Sequence, residues 1–432
     1  MNQVKILTLF LLLGILSTCQ SNSKEADTKT NTVQSNIDYD QNIQLPDNFQ
    51  AAVVAENLGR TRHIAVRANG DIFAQLFRLK DGKGLVALRD TDGDVKADEI
   101  TYFGSHQGSG CAIYNNFLYC SSPTEVFRYP LSVDQLLPDT NNKTLVVDGF
   151  PEQRQHDAKS ITFDREGNMY VNVGAPSNAC QQEARSQESP GFDPCPQLER
   201  QASIWKFSTE KTNQDQVKDG QQYATGIRNA VAVRWNPSTN NLFALQHGRD
   251  QLHQLWPNLF TEEQGIELPA EEFLSIREGD NFGWPYCYYD QFENKKVLAP
   301  EYGGDGKEQG RCADVKAPIL GFPGHLAPND LVFYTGDQFP ARYKNGAFIA
   351  FHGSWNRAPQ EQKGYFVAFV PMENGVPSGD WEIFAEGFAG AEGIKSPREA
   401  KHRPCGLAIG PDGSLYVSDD VKGNIWKISY QG

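Results

Sequence analysis

The chain has 432 residues and a formal net charge of −14. An acidic chain repels the phosphate backbone of nucleic acids, which argues against a DNA or RNA partner. Its 39 glycines, 24 prolines and 11% aromatic residues, against three methionines, favour many short strands joined by turns over long helices.

In chain order the first segment is an address. Lys5 supplies a positive charge, and Ile6 to Leu16 is an apolar run too short to span a bilayer comfortably. The run ends in Leu16-Ser17-Thr18-Cys19, which resembles a bacterial lipobox. That resemblance implies a signal peptide over 1–18 and a lipidated Cys19 as the new N-terminus. The open alternative is an ordinary cleaved signal peptide with Cys19 a bystander. Residues 19–42 are polar and read as a flexible tether, with the folded body over 43–432. The expected address is the bacterial cell envelope, in the periplasm or at the outer membrane, attached to the membrane through the lipid alone.

From residue 62 onward the chain repeats a unit. RHIAVRANGDIFA from Arg62, HDAKSITFDREGNMYVNVG from His156, RNAVAVRWNPSTNNLFALQHG from Arg228 and RPCGLAIGPDGSLYVSDD from Arg403 share one plan. Weaker copies begin at Gly108 and Ala327. Each has an alternating strand, a turn rich in Gly, Asn or Asp, and a second alternating strand. Six copies predict an all-β fold, a six-bladed β-propeller of four-stranded antiparallel blades. Ile43 to Asn57 would supply the strand that closes the last blade. The innermost strands of a propeller line its axis, so Arg62, His156, Arg228 and Arg403, each opening a unit, should converge on one mouth. For any one of them, local carboxylates or carbonyls are sufficient partners. For the set, a bound polyanion is the better explanation.

Seven cysteines follow Cys19. An Asn115-Asn116 turn would set Cys111 opposite Cys120, while Cys180 with Cys195 and Cys287 with Cys312 would each close an insertion, leaving Cys405 unpaired. Asp90, Asp92, Asp94 and Asp98 surround Gly93 in a stretch that resembles a calcium loop; the alternative is an exposed polar turn.

These stretches, with ALQHGRD, EGDNFGWPYCYYD and FIAFHGSWNR, make the chain resemble the soluble quinoprotein glucose, sorbosone and pyranose dehydrogenases from about Leu45 to Tyr430. The resemblance implies a six-bladed propeller holding pyrroloquinoline quinone (PQQ) over its axis, with Ca²⁺ beside it. It makes His156 the general base. Arg228 and Asn229 would approach the quinone carbonyls, Arg228 also stabilising the developing oxyanion. Arg403 would clamp a PQQ carboxylate, with Arg62 and Arg357 as further clamps and His352 a contact to PQQ or substrate. The carbonyls of Gly248 and Arg249 would bind the calcium, with Asp250 offsetting the charge of Arg249. Trp284 and Trp355 would stack on a flat ring or a sugar face, or else pack a blade. The implied reaction is oxidation of an aldose or pyranose, a sorbosone-like aldehyde or a related polyol, with electrons passed to an external cytochrome or quinone. The rival readings are a non-catalytic sugar-binding or scaffold propeller and a calcium-dependent lactonase-type hydrolase. The second wants an axis lined by carboxylates and amides, whereas these units open on Arg and His.

Overall fold

The strand Lys83–Arg89 shows how this chain makes a core. Val86 and Leu88 face one neighbouring blade and Leu85 and Ala87 face the other, and all four are fully buried. Side chains of a strand alternate between faces, so an apolar run with period two buries both. Each leucine so buried contributes about 2 kcal/mol. The computed structural model describes residues 37–432, and the same pattern recurs around a ring of six blades. Blade I runs from Thr61 to Phe103, blade II from Cys111 to Asp148, blade III from Ile161 to Thr225, blade IV from Ala232 to Phe322 and blade V from Pro328 to Ala385. Six large apolar clusters fill the six gaps between adjacent blades, so the core is itself a ring.

Blade VI closes that ring. Its strands Pro404–Ile409, Leu415–Asp419 and Ile425–Tyr430 are completed by Phe49–Ala55, which pairs antiparallel with the last strand in the register Phe49–Tyr430 and Ala52–Lys427. The closing strand therefore lies where the sequence put it, and the ring has no open edge between its first and last blades. Two residues expected in the tether, Asp38 and Asp40, are bonded to the body. Asp40 N donates to Ala51 O at 2.9 Å, Val53 N donates to Asp38 O at 3.0 Å, and Trp426 Nε1 donates to Asp40 Oδ2 at 3.1 Å. The expected signal peptide and Cys19 lie outside the described residues.

Two of the three expected disulfides form, Cys180–Cys195 and Cys287–Cys312, and Cys405 is a free buried thiol. Cys111 and Cys120 do face each other in register, yet they remain thiols, correcting the third pairing. Ser121 N donates to Gly110 O, which leaves the cysteines as the adjacent non-hydrogen-bonded pair, and Cys111 Sγ turns to Phe73 O at 3.7 Å.

Most insertions rise on one side of the ring. An antiparallel hairpin returns to the end where it began, so the loop after the second strand of a blade lies beside the residue that opens the first. The disulfide-closed loop of blade III, residues 247–270 of blade IV and residues 352–365 of blade V all leave from this rim. Among the described residues no helix is long and apolar enough to cross a membrane.

Candidate active site

The rim gathers its polar groups into two poles. The first belongs to blades III and IV. Arg228, just before the innermost strand of blade IV, is buried and uses all five N–H donors on the protein. Nε donates to Asn178 O at 3.1 Å, and Nη1 donates to Gly248 O at 2.9 Å and His247 O at 3.4 Å. Nη2 donates to Asn178 Oδ1 at 3.0 Å and Asp250 Oδ2 at 3.1 Å. Arg185 Nη2 reaches the same Asp250 oxygen at 2.9 Å. Burial alone would raise the Asp250 carboxyl, but Arg228 above all, with Arg185, holds it well below the usual carboxylate range.

His156 stands beside this pair. Its backbone is left-handed, with φ of 54°, and its ring Nδ1 lies 2.6 Å from Ala175 O. A carbonyl only accepts, so Nδ1 carries the proton and Nε2 presents a bare lone pair with no partner among the described residues. Burial first, then the Arg228 charge, pushes the imidazole pKa down to about 3. Gly174 makes this packing possible, because a Cβ there would come within 2.7 Å of both His156 Cβ and Asn229 Oδ1. Asn229 Oδ1 accepts from Asn172 Nδ2 at 3.3 Å, and its own amide nitrogen has no partner among the described residues.

The second pole belongs to blades V, VI and I and is organised by one buried carboxylate. Asp420 Oδ1 lies 2.7 Å from His352 Nε2, and Oδ2 takes Arg62 Nη2 at 3.0 Å and Arg60 Nη2 at 3.3 Å. Burial opposes the ionised form, yet His352 and Arg62 override it and hold Asp420 far below the usual range. Burial, followed by the charge of Arg403, brings His352 down to about 4 against the pull of Asp420. Arg403 donates through Nε to His352 O at 3.0 Å and through Nη2 to Gly353 O. Terminal guanidinium donors stay open at this pole: Arg403 Nη1 makes no hydrogen bond among the described residues, and Arg62 Nη1 meets only Cys405 Sγ at 3.6 Å, while the unpartnered Arg62 Nε is buried.

Each cation thus has a local partner, but the carboxylates do not balance the cations. Arg60, Arg62, Arg185, Arg228 and Arg403 outnumber the carboxylates near them, Asp250 and Asp420 in direct contact and Asp157 and Glu271 at longer range, leaving the mouth cationic. Unspent donors on Arg62, Arg403 and Asn229, around a bare imidazole nitrogen, suit a planar ligand with several carboxylates and carbonyls. PQQ has that chemistry, and the residues present fit it.

Three expectations need correction. Arg357 does not join the mouth: Nη1 donates to Ile266 O and Gly324 O, each at 3.1 Å, and Nη2 pairs with Glu267, so it fastens a loop. Arg228 has no donor left for a quinone oxygen, so it acts on the site through its field and through the groups it orients. The counter-charge of Arg249 is Glu301, with Trp256 Nε1 on the other carboxylate oxygen at 3.0 Å; Asp250 serves Arg228 and Arg185. Trp284 is buried and donates Nε1 to Asn178 O at 3.1 Å, which makes it a packing residue, whereas Trp355 is exposed at the lip.

For the expected axial calcium, the Arg249 carbonyl has no partner among the described residues, and the Gly248 carbonyl retains a lone pair beyond the one Arg228 uses. These are hard oxygen donors, as calcium requires, although they supply only part of a shell. In the outer loop, carboxylate oxygens of Asp90, Asp92 and Asp98 lie within 4.8 Å of one another. Asp94 is not in that group, and its Oδ1 accepts from Lys96 N at 2.8 Å.

Sequence reasoning missed Asn178, His247, Asp420 and the role of Arg185. His247 lies 2.8 Å through Nε2 from Pro328 O, which fixes its proton there, and burial brings its pKa down to about 4. The available signal was position: Asn178, His247 and Asp420 all follow the second strand of their units, the rim position that the hairpin return dictates.

A family model described as TrAA12-like matches residues 43–431. A pyrroloquinoline quinone-dependent pyranose dehydrogenase of Coprinopsis cinerea is 23% identical over 421 residues, covering 89% of this chain and 54% of that protein. The chain spans between about half and two thirds of the length of the curated relatives it matches. Among solved structures, the holo PQQ domain of the Coprinopsis cinerea pyranose dehydrogenase matches with TM-score 0.71 and 19% identity, over 90% of this chain and 97% of that one. A calcium structure of a Trichoderma reesei family AA12 carbohydrate-active enzyme matches with TM-score 0.73 and 18% identity, over 93% of this chain and 100% of that one.

Proposed function

The chain belongs to the TrAA12-like family, and from that premise we propose that it is a PQQ-dependent dehydrogenase, an oxidoreductase that oxidises a CH–OH group of a sugar. The observation that carries this reading is the bare Nε2 of His156, held by the Ala175 carbonyl and kept neutral beside a cationic mouth. PQQ, when bound, supplies the two-electron acceptor that takes hydride from the carbinol carbon. His156 Nε2 takes the hydroxyl proton of the same carbon. Arg228 is a positioning residue that keeps the imidazole unprotonated and fixes Asp250. Asn229 offers its amide to a developing oxyanion. Arg62 and Arg403 hold carboxylates with their free donors, and His352 stiffens that grip through Asp420.

Support comes from the Coprinopsis cinerea relative, whose name states both cofactor and substrate class. We extend the proposal to calcium at the Gly248 and Arg249 carbonyls, in line with the calcium structure of the Trichoderma reesei enzyme. Electrons then pass to an external cytochrome or quinone, and lipid anchoring at Cys19 in the cell envelope would place the protein near such acceptors.

The test is an equilibrium titration of the apo-protein with PQQ, with calcium and with chelator, followed by dye-linked oxidation of a panel of pyranoses. Binding at or below micromolar PQQ, stronger with calcium, and oxidation of at least one pyranose are expected. Absence of binding at micromolar PQQ would leave the sugar-binding or scaffold reading.

A further inference from the structure

Seven tryptophans stand in this chain, and six are buried or half-buried. Trp355 is 52% exposed. Its exposure does not come from a loose loop. The next residue, Asn356, is buried with Nδ2 3.1 Å from His325 Nδ1, and Arg357 after it is locked to Glu267 and two carbonyls. The protein thus fixes the backbone on one side of Trp355 and leaves a large apolar ring in water, a cost of about 1–2 kcal/mol relative to burying it.

What lies over that ring is the guanidinium of Arg185, 6.0 Å from the ring centroid. Arg185 comes from the loop closed by Cys180–Cys195, with its own N donating to Gln181 Oε1 at 3.0 Å. Its guanidinium also reaches Asp250 Oδ2 at 2.9 Å, Gln155 Oε1 at 3.5 Å and Gln251 Oε1. Gln155 adjoins His156, and Asp250 holds Arg228. Trp355, from blade V, and Arg185, from blade III, therefore meet across blade IV at the outer edge of the His156 pole.

We propose that Trp355 and Arg185 form a pyranose-ring subsite at the lip of this mouth, which sets how a sugar approaches His156. A pyranose has an apolar C–H face and a girdle of hydroxyls. Trp355 offers a flat apolar platform of matching size. Arg185, with Gln155 and Gln251, offers amide and guanidinium groups to the hydroxyls, and these groups are already ordered by one another. The ligand class is a neutral saccharide. Arg185 already donates to the Asp250 carboxylate and to two amide oxygens, so within a cationic mouth it has only its remaining N–H groups to offer to hydroxyls. This inference rests on the sugar-dehydrogenase reading and adds the residues that select the ring.

The test uses the full chain without PQQ first. Tryptophan fluorescence is titrated with a neutral aldohexose and with its β-linked disaccharide, in wild type, W355A, W355F, R185A and R185K. A saturable signal is expected in wild type. Affinity should fall about tenfold or more in W355A, stay within about threefold in W355F, and weaken in R185A with partial recovery in R185K. Because W355A removes a fluorophore, calorimetric titration provides the second readout. Melting curves matching wild type show that the variants are folded. The PQQ-loaded protein is then assayed: KM should rise about tenfold in W355A while kcat stays within about threefold. Unchanged saccharide affinity and unchanged KM in W355A and R185A would overturn the subsite. Failure of the wild type to bind PQQ would instead overturn the dehydrogenase reading, and the saccharide titration would remain a separate result.

Discussion

The two poles of the mouth use histidine in opposite ways. His156 donates to a neutral carbonyl, Ala175 O, and keeps its other nitrogen bare, with Arg228 nearby to discourage protonation. His352 turns its Nε2 to a carboxylate, Asp420, which at the same time holds Arg60 and Arg62. The first arrangement suits taking a proton and the second suits gripping anions. An imidazole's role follows from what its other partners are, and these two rim histidines, one opening its unit and the other following the second strand of its blade, would not be interchangeable.

The largest expected effect that separates the poles is that of D420A. It leaves Arg62 without its buried counter-charge and His352 without its hydrogen-bond acceptor, and should cost about 3–5 kcal/mol of stability in a urea titration. PQQ affinity should fall with it. If D420A folds as stably as wild type, Asp420 does not organise its pole.

A smaller effect is expected from pH. The pKa values of His156, His247 and His352 are lowered to about 3, 4 and 4, from about 6.5 when unfolded. The folded state then binds fewer protons, so their stabilising contribution is whole above pH 6.5 and is lost as pH falls towards 4 and 3. Glu271 is the reverse case. Burial raises it to about 7, while it accepts Gly248 N at 2.9 Å and Ala327 N at 3.1 Å. Its contribution is whole below about 4.5 and is lost as pH rises through 7. Melting temperature should therefore fall on the acid side and dip slightly between pH 6.5, where the histidine contribution is complete, and 7, where that of Glu271 is lost. In E271Q that dip should disappear.

R62A should disturb the folded protein less than D420A does, because Asp420 keeps Arg60 and His352 as partners. PQQ affinity should weaken about tenfold to a hundredfold, while turnover of the loaded fraction stays within a few fold. A fall in turnover with unchanged affinity would move Arg62 from the gripping pole to the reacting one.

How much of this was legible in the sequence depends on what kind of contact made it. The blades were legible because alternation is local: Leu85 and Val86 declare their opposite faces within one strand. The closing strand Phe49–Ala55 and the openers Arg62, His156, Arg228 and Arg403 followed from the repeat. The partners of those openers did not, since Asp250 meets Arg185 only when the loop of blade III packs on blade IV, and Asp420 meets Arg62 only through ring closure. Arg357 illustrates the same limit from the other side. It looks like any other arginine in a shared motif, and only the position of Glu267 shows that it ties down a loop. Trp284 and Trp355 were equally ambiguous until burial separated them.

The central claim is that His156 takes the substrate proton while the opposite pole holds the cofactor. Single-turnover reduction of bound PQQ by a pyranose, followed by stopped-flow absorbance in wild type and H156A, tests it most directly. The account predicts PQQ affinity within a few fold of wild type and a reduction rate lower by about 10²–10⁴. An H156A protein that binds PQQ and reduces it at the wild-type rate would contradict the account.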